Sequence, residues 1–498
     1  MSVKLSRFQT TVRHLEEPHI EVGEGIAFPE PKMGWTLVGP LGKQSDIFDV
    51  TVGLIGDSDS IEKAKDFLER LRVATYGKDR SFLHIDFPGL ERFRIRLTIK
   101  WIAEIDAQSI KERMEKTISL SERVETAALM IKEKIKALVA REPTPNVLIL
   151  AYPQLIDQYC IQGAIGHRGT PKKTNLEKYI ERMRAKHIPL DSFLGLKPPE
   201  KLYRPVDLRS VLKSFCGELD VPIQIIRPST LEPYDPGKPK REDDATTFWN
   251  LVVALFYKAN HLPWRVKDLL EDTCYVGISF FRDRTDSSNV KTALAQVFAV
   301  DSEGFVFKGE KATVDEHTRS THISKGEAAR LTKRAIDAYS SNKDGELPKR
   351  VVVHKTSRFN DDELAGFKEG AANISKLTLV AFGDRDIKLL RWGQQPAVRG
   401  TMVKLPDGSA LLYTFGYIPY QSVYPGPRVP SPLEILECHG ESMEAVCREI
   451  LALTKLNWNN AKYCTKAPMT IGFARRVATI LRESPPGSTV AEKLKHYM

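Results

Sequence analysis

Short apolar runs alternate with amphipathic stretches along the first half of the chain. Three apolar runs predict buried parallel strands, because such strands have both faces covered: Phe48–Ile55, Asn146–Ala151 and Val221–Arg227. Apolar residues at helical spacing predict helices over Ser60–Leu71, Ser109–Arg141, Asp207–Leu219 and Ala245–Asn260. Strands that alternate with helices indicate an α/β fold class.

The pattern changes after Pro263. Three consecutive strands are predicted, then a helix and a further strand, over Cys274–Phe281, Thr292–Val300, Gly304–Gly309, Lys325–Ser340 and Arg350–His354. This is the order of an RNase H-like fold. Later segments predict two strand regions and two helices, at Lys376–Phe382, Thr401–Phe415, Ser442–Thr454 and Thr470–Arg482. We therefore divide the chain into a Gly- and Pro-rich lead-in segment (1–47) and two domains (48–267 and 268–498).

Composition narrows the class of partner. The 498 residues carry a net charge of +10, which favours a polyanion such as nucleic acid, although a merely soluble basic enzyme remains an alternative. Six cysteines without a CxxC pair are typical of reduced, buried thiols in a cytoplasmic protein. The N-terminus lacks the apolar core of a signal peptide, and no apolar run is long enough to span a membrane. The basic stretch Gly166–Lys186 is either a solvated loop and helix or a patch that faces nucleic acid.

Long, unusual segments of the chain resemble signatures of Argonaute proteins, and they occur in the family's order: DVPIQIIRP (Asp220–Pro228), TFWNLVVALFYKANHLPWRV (Thr247–Val266), CYVGISFF (Cys274–Phe281), TFGYIPYQSVYPGPRVPSPLEI (Thr414–Ile435) and LTKLNWNNAKYCTKAPMTIGFARRVATIL (Leu453–Leu481). The resemblance implies a bilobal protein with a Rossmann-like MID domain and an RNase H-like PIWI domain. The length leaves no room for separate N and PAZ domains, so we expect a short prokaryotic Argonaute.

The resemblance also implies a pocket for the 5′ phosphate of a guide strand. The family's pocket residues match Lys213, Gln224 and Lys258, while Arg209 stands where the family usually has Tyr. Arg209 and Lys213 are four residues apart, so they share one face of the predicted helix. A terminal phosphate needs several converging donors, which these four residues would supply. The family often adds a Mg²⁺ ion beside the guide phosphates, so Mg²⁺ is the expected cofactor.

The matching PIWI positions lack the carboxylates that slicing requires, since RNase H-type cleavage uses acidic side chains to hold two metal ions. Ser279 stands in place of the first Asp, Lys355 in place of another, and the segment Pro468–Phe473 has no Asp, Glu or His. Five acidic residues nearby in sequence could replace the missing carboxylates: Asp283, Asp286, Asp361, Asp362 and Glu363. Asp361 and Asp362 are more typical of a helix start. We expect no cleavage; a guide-directed endonuclease with a rearranged metal site is the alternative.

The resemblance implies guide-directed recognition of a target, with RNA guides and single-stranded DNA targets common in the family. Short Argonautes act in prokaryotic immunity with an APAZ-containing effector, a TIR or Sir2-like NADase or a nuclease, and any catalysis would come from that partner. A protein-binding scaffold without a guide is a further alternative. The basic residues predicted along the nucleic-acid channel are Lys355, Arg358, Arg399, Lys455 and Lys466.

Overall fold

A computed structural model shows how the chain folds. It describes residues 10–498 except for 161–204, 236–241, 283–289, 299–303, 391–395 and the positions 80, 82, 118, 268, 271, 316, 319, 384, 386, 390, 425, 427, 428, 486 and 487. The stretch Gly166–Lys186 and the acidic residues Asp283 and Asp286 lie outside the described residues.

The helices of the described part are α1 (Pro31–Leu37), α2 (Ser58–Arg70), α3 (Ala107–Glu115), α4 (Leu120–Val139), α5 (Gln154–Cys160), α6 (Leu208–Glu218), α7 (Pro228–Leu231), α8 (Asp244–Lys258), α9 (Lys325–Ser341), α10 (Asp361–Gly370), α11 (Met443–Leu453) and α12 (Met469–Glu483). None of these described helices has the length and apolar character that a membrane crossing demands.

The strands of the described part are β1 (Thr11–His14), β2 (Ile20–Glu21), β3 (Ala27–Phe28), β4 (Phe48–Gly56), β5 (Ile95–Glu104), β6 (Val147–Ala151), β7 (Ile223–Ile226), β8 (Arg265–Val266), β9 (Thr273–Arg282), β10 (Val290–Phe298), β11 (Phe305–Val314), β12 (Thr321–His322), β13 (Arg350–Lys355), β14 (Lys376–Gly383), β15 (Thr401–Lys404), β16 (Ala410–Leu412) and β17 (Leu433–His439).

Four parallel strands form the sheet of the first half, in the order β5-β4-β6-β7. The three predicted strands are confirmed as β4, β6 and β7, and the sheet has the Rossmann-like arrangement of parallel strands with helices between them. Strand β5 was not predicted, because only one of its faces is buried and its apolar residues alternate with polar ones.

The single helix predicted over Ser109–Arg141 is wrong, because the structure has two helices there. The Ser119 side chain caps α4 and Glu122 returns a hydrogen bond to the Ser119 main chain, so the pair forms a capping box. A capping box satisfies the free N–H groups at a helix start, and α4 therefore begins anew after α3.

A second sheet orders its strands as β1-β15-β16-β17-β14-β13-β9-β10-β11-β12. Its centre has antiparallel β11, β10 and β9, followed by β13 and β14 parallel to β9. The predicted RNase H-like order is thereby confirmed. The lead-in segment contributes β1 to the edge of this sheet, and β2 and β3 form a small sheet with β8.

One hydrophobic core joins the two halves. It includes Val52 and Trp249 from the first half together with Tyr275, Ala474 and Val477 from the second. Helix α12 packs directly on β9, where a Cβ atom at Gly277 would collide with the main chain of Thr470. Helix α12 also contacts α6, so one helix touches both halves of the molecule.

Candidate nucleic-acid interface

A cavity of about 1250 Å³ opens beside β7, α6 and α8. Arg209 and Lys213 reach it from successive turns of α6, Gln224 from β7, and Lys258 from the last residue of α8. The structure therefore brings together all four side chains predicted for the 5′-phosphate pocket. We call these four residues, with Arg476 described below, the basic pocket.

The two lysines of the basic pocket are buried, and each donates to oxygen atoms of the protein. The Lys258 ammonium donates to Gln224 Oε1 at 2.5 Å and to the Ile223 carbonyl at 3.1 Å. The Lys213 ammonium donates to the main-chain oxygen of Met498. Lys258 is only 1% exposed and Lys213 only 4%, so little water solvates either charge.

Burial and neighbouring cations disfavour both ammonium charges. Burial, followed by repulsion from Arg209 and Arg476, lowers the pKa of Lys258 to about 7. Burial and repulsion from Lys258, Arg209 and Arg476 lower the pKa of Lys213 well below its ordinary value. Within the described residues, neither lysine forms a salt bridge with a side-chain carboxylate. An anion bound beside these lysines would favour their charged forms.

Sequence reasoning missed Arg476, which is not among the described lining residues of the cavity but lies close enough to repel the cations of the basic pocket. It lies on α12, in the second half of the chain, and its pKa is lowered by burial and by repulsion from Arg209. The pair Arg475-Arg476 interrupts an otherwise apolar stretch, and this was the available signal. Its approach to α6 depends on the contact between α12 and α6, which the local sequence does not encode.

A different arrangement of charges surrounds Ser279 and Lys355, the two positions at which the resemblance implies that carboxylates are replaced. Ser279 lies on β9, and Lys355 ends β13 opposite Ile278. The Lys355 ammonium lies 2.6 Å from a carboxylate oxygen of Glu363, and both side chains are 0% exposed. The same ammonium donates to the Arg358 carbonyl at 2.9 Å. The charge of Lys355 is thus neutralised inside the fold.

The remaining acidic candidates are dispersed or engaged. Asp361 and Asp362 lie exposed in the first turn of α10, as their helix-start pattern predicted. Glu363 accepts from Asn360 N as part of a capping box and also binds Lys355. Across the part of the chain that the structure describes, no three His, Cys, Asp or Glu side chains form a group suited to a metal ion.

The segment Pro468–Phe473 contributes the hydroxyl of Thr470 to a buried contact with the sheet. Thr470 Oγ1 lies 2.7 Å from Nδ1 of His354, on β13. Burial lowers the pKa of His354 to about 3, so this imidazole is neutral at physiological pH. The contact fastens α12 to the sheet.

The structure corrects the channel prediction at three of its five positions. Arg399 and Lys455 have side chains that are 0% exposed, and both form salt bridges with Glu17 of the lead-in segment. Lys355 is equally buried against Glu363. These three side chains cannot reach a nucleic-acid backbone, because the fold already encloses them with a carboxylate. Arg358 and Lys466 are exposed.

The prediction that the cysteines are mostly buried agrees with the structure. All six thiols are free, and five are buried, with Cys438 partly exposed.

Comparisons with known proteins support the fold. Neither a protein-family model nor a curated protein matches the sequence. The structure of Clostridium butyricum Argonaute bound to a guide DNA and a 19-mer target DNA matches with a TM-score of 0.61 and 15% identity, over 96% of this chain and 54% of that chain. Aquifex aeolicus Argonaute matches with a TM-score of 0.55 and 17% identity, over 98% and 55% of the two chains.

Drosophila Piwi also matches, with a TM-score of 0.56 and 14% identity, over 98% of this chain and 56% of that chain. The chain thus spans little more than half the length of each of these proteins. At such identities the likeness concerns the fold, and the chain has an Argonaute-like fold over nearly its whole length.

Proposed function

We propose that the protein holds a guide strand by its 5′ phosphate and recognises a target nucleic acid by base pairing. The observation that carries this proposal is the basic pocket, where buried Lys213 and Lys258 converge with Arg209 and Arg476 and lack a side-chain carboxylate partner among the described residues. A terminal phosphate has the charge and the acceptor oxygens to satisfy this cluster. The Argonaute-like fold supports the same reading, since the Clostridium butyricum protein was solved with a guide and a target bound.

In this proposal the fixed 5′ end sets the register of every later base. Gln224 orients the Lys258 ammonium through its 2.5 Å contact, and the main-chain oxygen of Met498 orients Lys213. Arg209, which stands where the family usually has Tyr, adds a guanidinium that can bind two phosphate oxygens at once. Base pairing then reads the target sequence, while the protein contacts the backbone.

We propose that the basic pocket neutralises the guide phosphate through its own cations and does not depend on the Mg²⁺ ion expected from the family. Magnesium prefers oxygen ligands, and the two oxygens nearest the lysines, Gln224 Oε1 and the Met498 main-chain oxygen, already accept from ammonium groups. Arg209 and Arg476 add further positive charge to the same place. We therefore propose that four cationic side chains neutralise the guide phosphate there.

We further propose that the protein does not cut its target. Ser279 offers a neutral hydroxyl, and Lys355 with its partner Glu363 puts a closed ion pair at the other degenerate position. An RNA guide, a single-stranded DNA target and an APAZ-containing effector in trans, with a TIR, Sir2-like or nuclease activity, complete the proposal. The effector would turn target recognition into prokaryotic immunity.

The test is to purify the protein from cells and sequence the nucleic acid that copurifies, recording strand length and 5′ chemistry. A Lys213→Ala/Lys258→Ala variant should lose short 5′-phosphorylated strands, because both buried donors are removed. A Lys111→Ala/Lys368→Ala variant, which removes two exposed lysines, is the matched control and should retain them. Equal strands in all three proteins would refute the pocket. Cleavage of a matched target by the loaded protein with Mg²⁺ or Mn²⁺ would favour the endonuclease instead.

A further inference from the structure

A second cavity, of about 650 Å³, opens at the ends of β9 and β13 beside α12. We propose that this hydroxyl cavity binds one phosphodiester of a nucleic-acid backbone directly, through Arg358, Arg475 and serine and threonine hydroxyls. The inference rests on the proposed guide-directed function and gives the degenerate PIWI centre a role of its own, in which side chains do the work that metal ions do in a slicing enzyme.

The lining of the hydroxyl cavity is rich in donors and carries positive charge. It holds six hydroxyl side chains, Ser279, Thr318, Ser320, Thr321, Thr356 and Ser357. Two guanidinium groups, of Arg358 and Arg475, complete its polar surface, and no Asp or Glu is among the described lining residues. Hydroxyl and guanidinium groups donate to anionic oxygens, whereas a divalent cation needs acceptors. The lining thus favours an anion.

Several of these donors make no hydrogen bond with any residue that the structure describes. In the part of the chain that is described, the hydroxyls of Ser279, Ser320 and Thr356 make no hydrogen bond, and neither does the Arg475 guanidinium. Ser357 is engaged, since its hydroxyl donates to the Thr321 carbonyl at 2.8 Å. The unengaged groups come from β9, the turn after β13 and α12, so they approach the cavity from different sides.

The nearby carboxylates are already committed and would not repel a phosphate strongly. Glu363 holds Lys355 at 2.6 Å, beneath the cavity. Glu437 accepts from the main-chain N–H of Phe359 at 2.6 Å and lies 3.5 Å from the Arg358 guanidinium. Nη1 of Arg358 makes this contact and also donates to the Leu436 carbonyl at 3.3 Å, so the other guanidinium donors of this exposed residue can bind a second anion. Because Glu363 neutralises Lys355, the positive charge of the cavity lining comes from Arg358 and Arg475.

Helix α12 links this cavity to the basic pocket. Arg475 lines the hydroxyl cavity, and its neighbour Arg476 is electrostatically coupled to Arg209 in the basic pocket. Successive residues on a helix point about 100° apart. One helix therefore supplies an arginine to each anion site, which places both sites within reach of one guide–target duplex.

The phosphodiester can come from the guide or from the target, and a substitution of single phosphates distinguishes the two. Protein loaded with a defined guide is titrated with targets that carry one neutral methylphosphonate at successive linkages, and the scan is repeated with methylphosphonates in the guide. We expect one or two internal linkages at which neutralisation weakens target binding by about three- to tenfold, as loss of a charge-assisted contact does.

An Arg475→Gln variant is scanned in parallel and should bind the unmodified target more weakly while losing sensitivity at those same linkages, because the contact is already gone. An Arg113→Gln variant removes an exposed arginine on α3 and should behave like the native protein. Sensitivity of the target series assigns the site to the target strand, and sensitivity of the guide series assigns it to the guide. If each methylphosphonate weakens target binding equally in the native protein and in Arg475→Gln, the inference is overturned, even when guide loading and target binding are normal. Absence of guide-dependent binding in the native protein overturns the proposed function instead.

Discussion

Lys258 and Lys355 are both buried lysines at the end of a secondary-structure element, yet their surroundings are opposite. Lys258 faces neutral acceptors and two arginines, and its pKa falls to about 7. Lys355 faces Glu363, and the attraction of that carboxylate opposes the lowering of its pKa by burial. The fold neutralises the buried charge of Lys355 itself, whereas Lys258, beside other cations, offers its charge to an external anion.

Removing the partner of Lys355 should have the largest effect. Glu363→Gln leaves an unpaired charge in the sheet and also weakens the capping box of α10, so the free energy of unfolding should fall by about 3–5 kcal/mol. Urea unfolding followed by circular dichroism measures this loss. The double variant Lys355→Met/Glu363→Gln, which has no buried charge there, should recover much of it. If the Glu363→Gln protein is as stable as the native one, Lys355 does not depend on its carboxylate partner, and the contrast with Lys258 fails.

The complementary substitution in the basic pocket should affect binding and not folding. Lys258→Met removes a charge that burial and repulsion disfavour, so the free energy of unfolding should stay level or rise. Affinity for a 5′-phosphorylated strand should fall by about 2 kcal/mol, because a buried charge-assisted contact is lost. Fluorescence anisotropy with 5′-phosphate and 5′-hydroxyl strands measures this, and the hydroxyl strand should bind native and variant protein alike.

A pH series should test whether the pKa of Lys258 is lowered in the folded protein. Because the folded pKa of Lys258 is depressed to about 7, the folded protein releases a proton that the unfolded chain keeps until about pH 10.5. Unfolding free energy attributable to this residue therefore rises with pH above 7, by at most about 1.4 kcal/mol per pH unit. Binding of the 5′ phosphate should weaken over the same interval, since it needs the charged ammonium.

Lys258→Met is the control for this pH series, and it should flatten both trends. The groups that face Lys258, namely Lys213, Arg209, Arg476 and Cys216, remain in that variant, so any slope that persists belongs to them, above all to Lys213 with its own lowered pKa, or to other sites.

The smallest expected effect is that of a chelator. Because the oxygens of the basic pocket are engaged by lysines, EDTA should change the affinity for a 5′-phosphorylated strand by less than about twofold. Isothermal titration with and without Mg²⁺ checks this. A strong dependence on Mg²⁺ would show that the lysines give up Gln224 and Met498 to the ion.

The sequence predicts buried elements well where a local pattern decides them. The strands β4, β6 and β7 are predominantly apolar runs, and the structure has them where they were predicted. The burial and the partners of charged residues are harder to predict from the sequence. Arg399 and Lys455 look like surface cations in sequence, but their partner Glu17 lies hundreds of residues away and encloses them. Arg476 was overlooked for the same reason, since its neighbour Arg209 belongs to a distant helix.

The hydrophobic core that runs from Val52 and Trp249 to Ala474 and Val477 has a consequence for any attempt to divide the protein. The two sheets look separable, and a cut near residue 268 would leave nearly all strands of each sheet on one fragment. Each fragment would nevertheless carry half of a common interior exposed to water. Coexpressed fragments should therefore reassociate with each other, while either one produced alone should aggregate. Each sheet comes from a nearly continuous part of the chain, but we expect the two parts to fold only together.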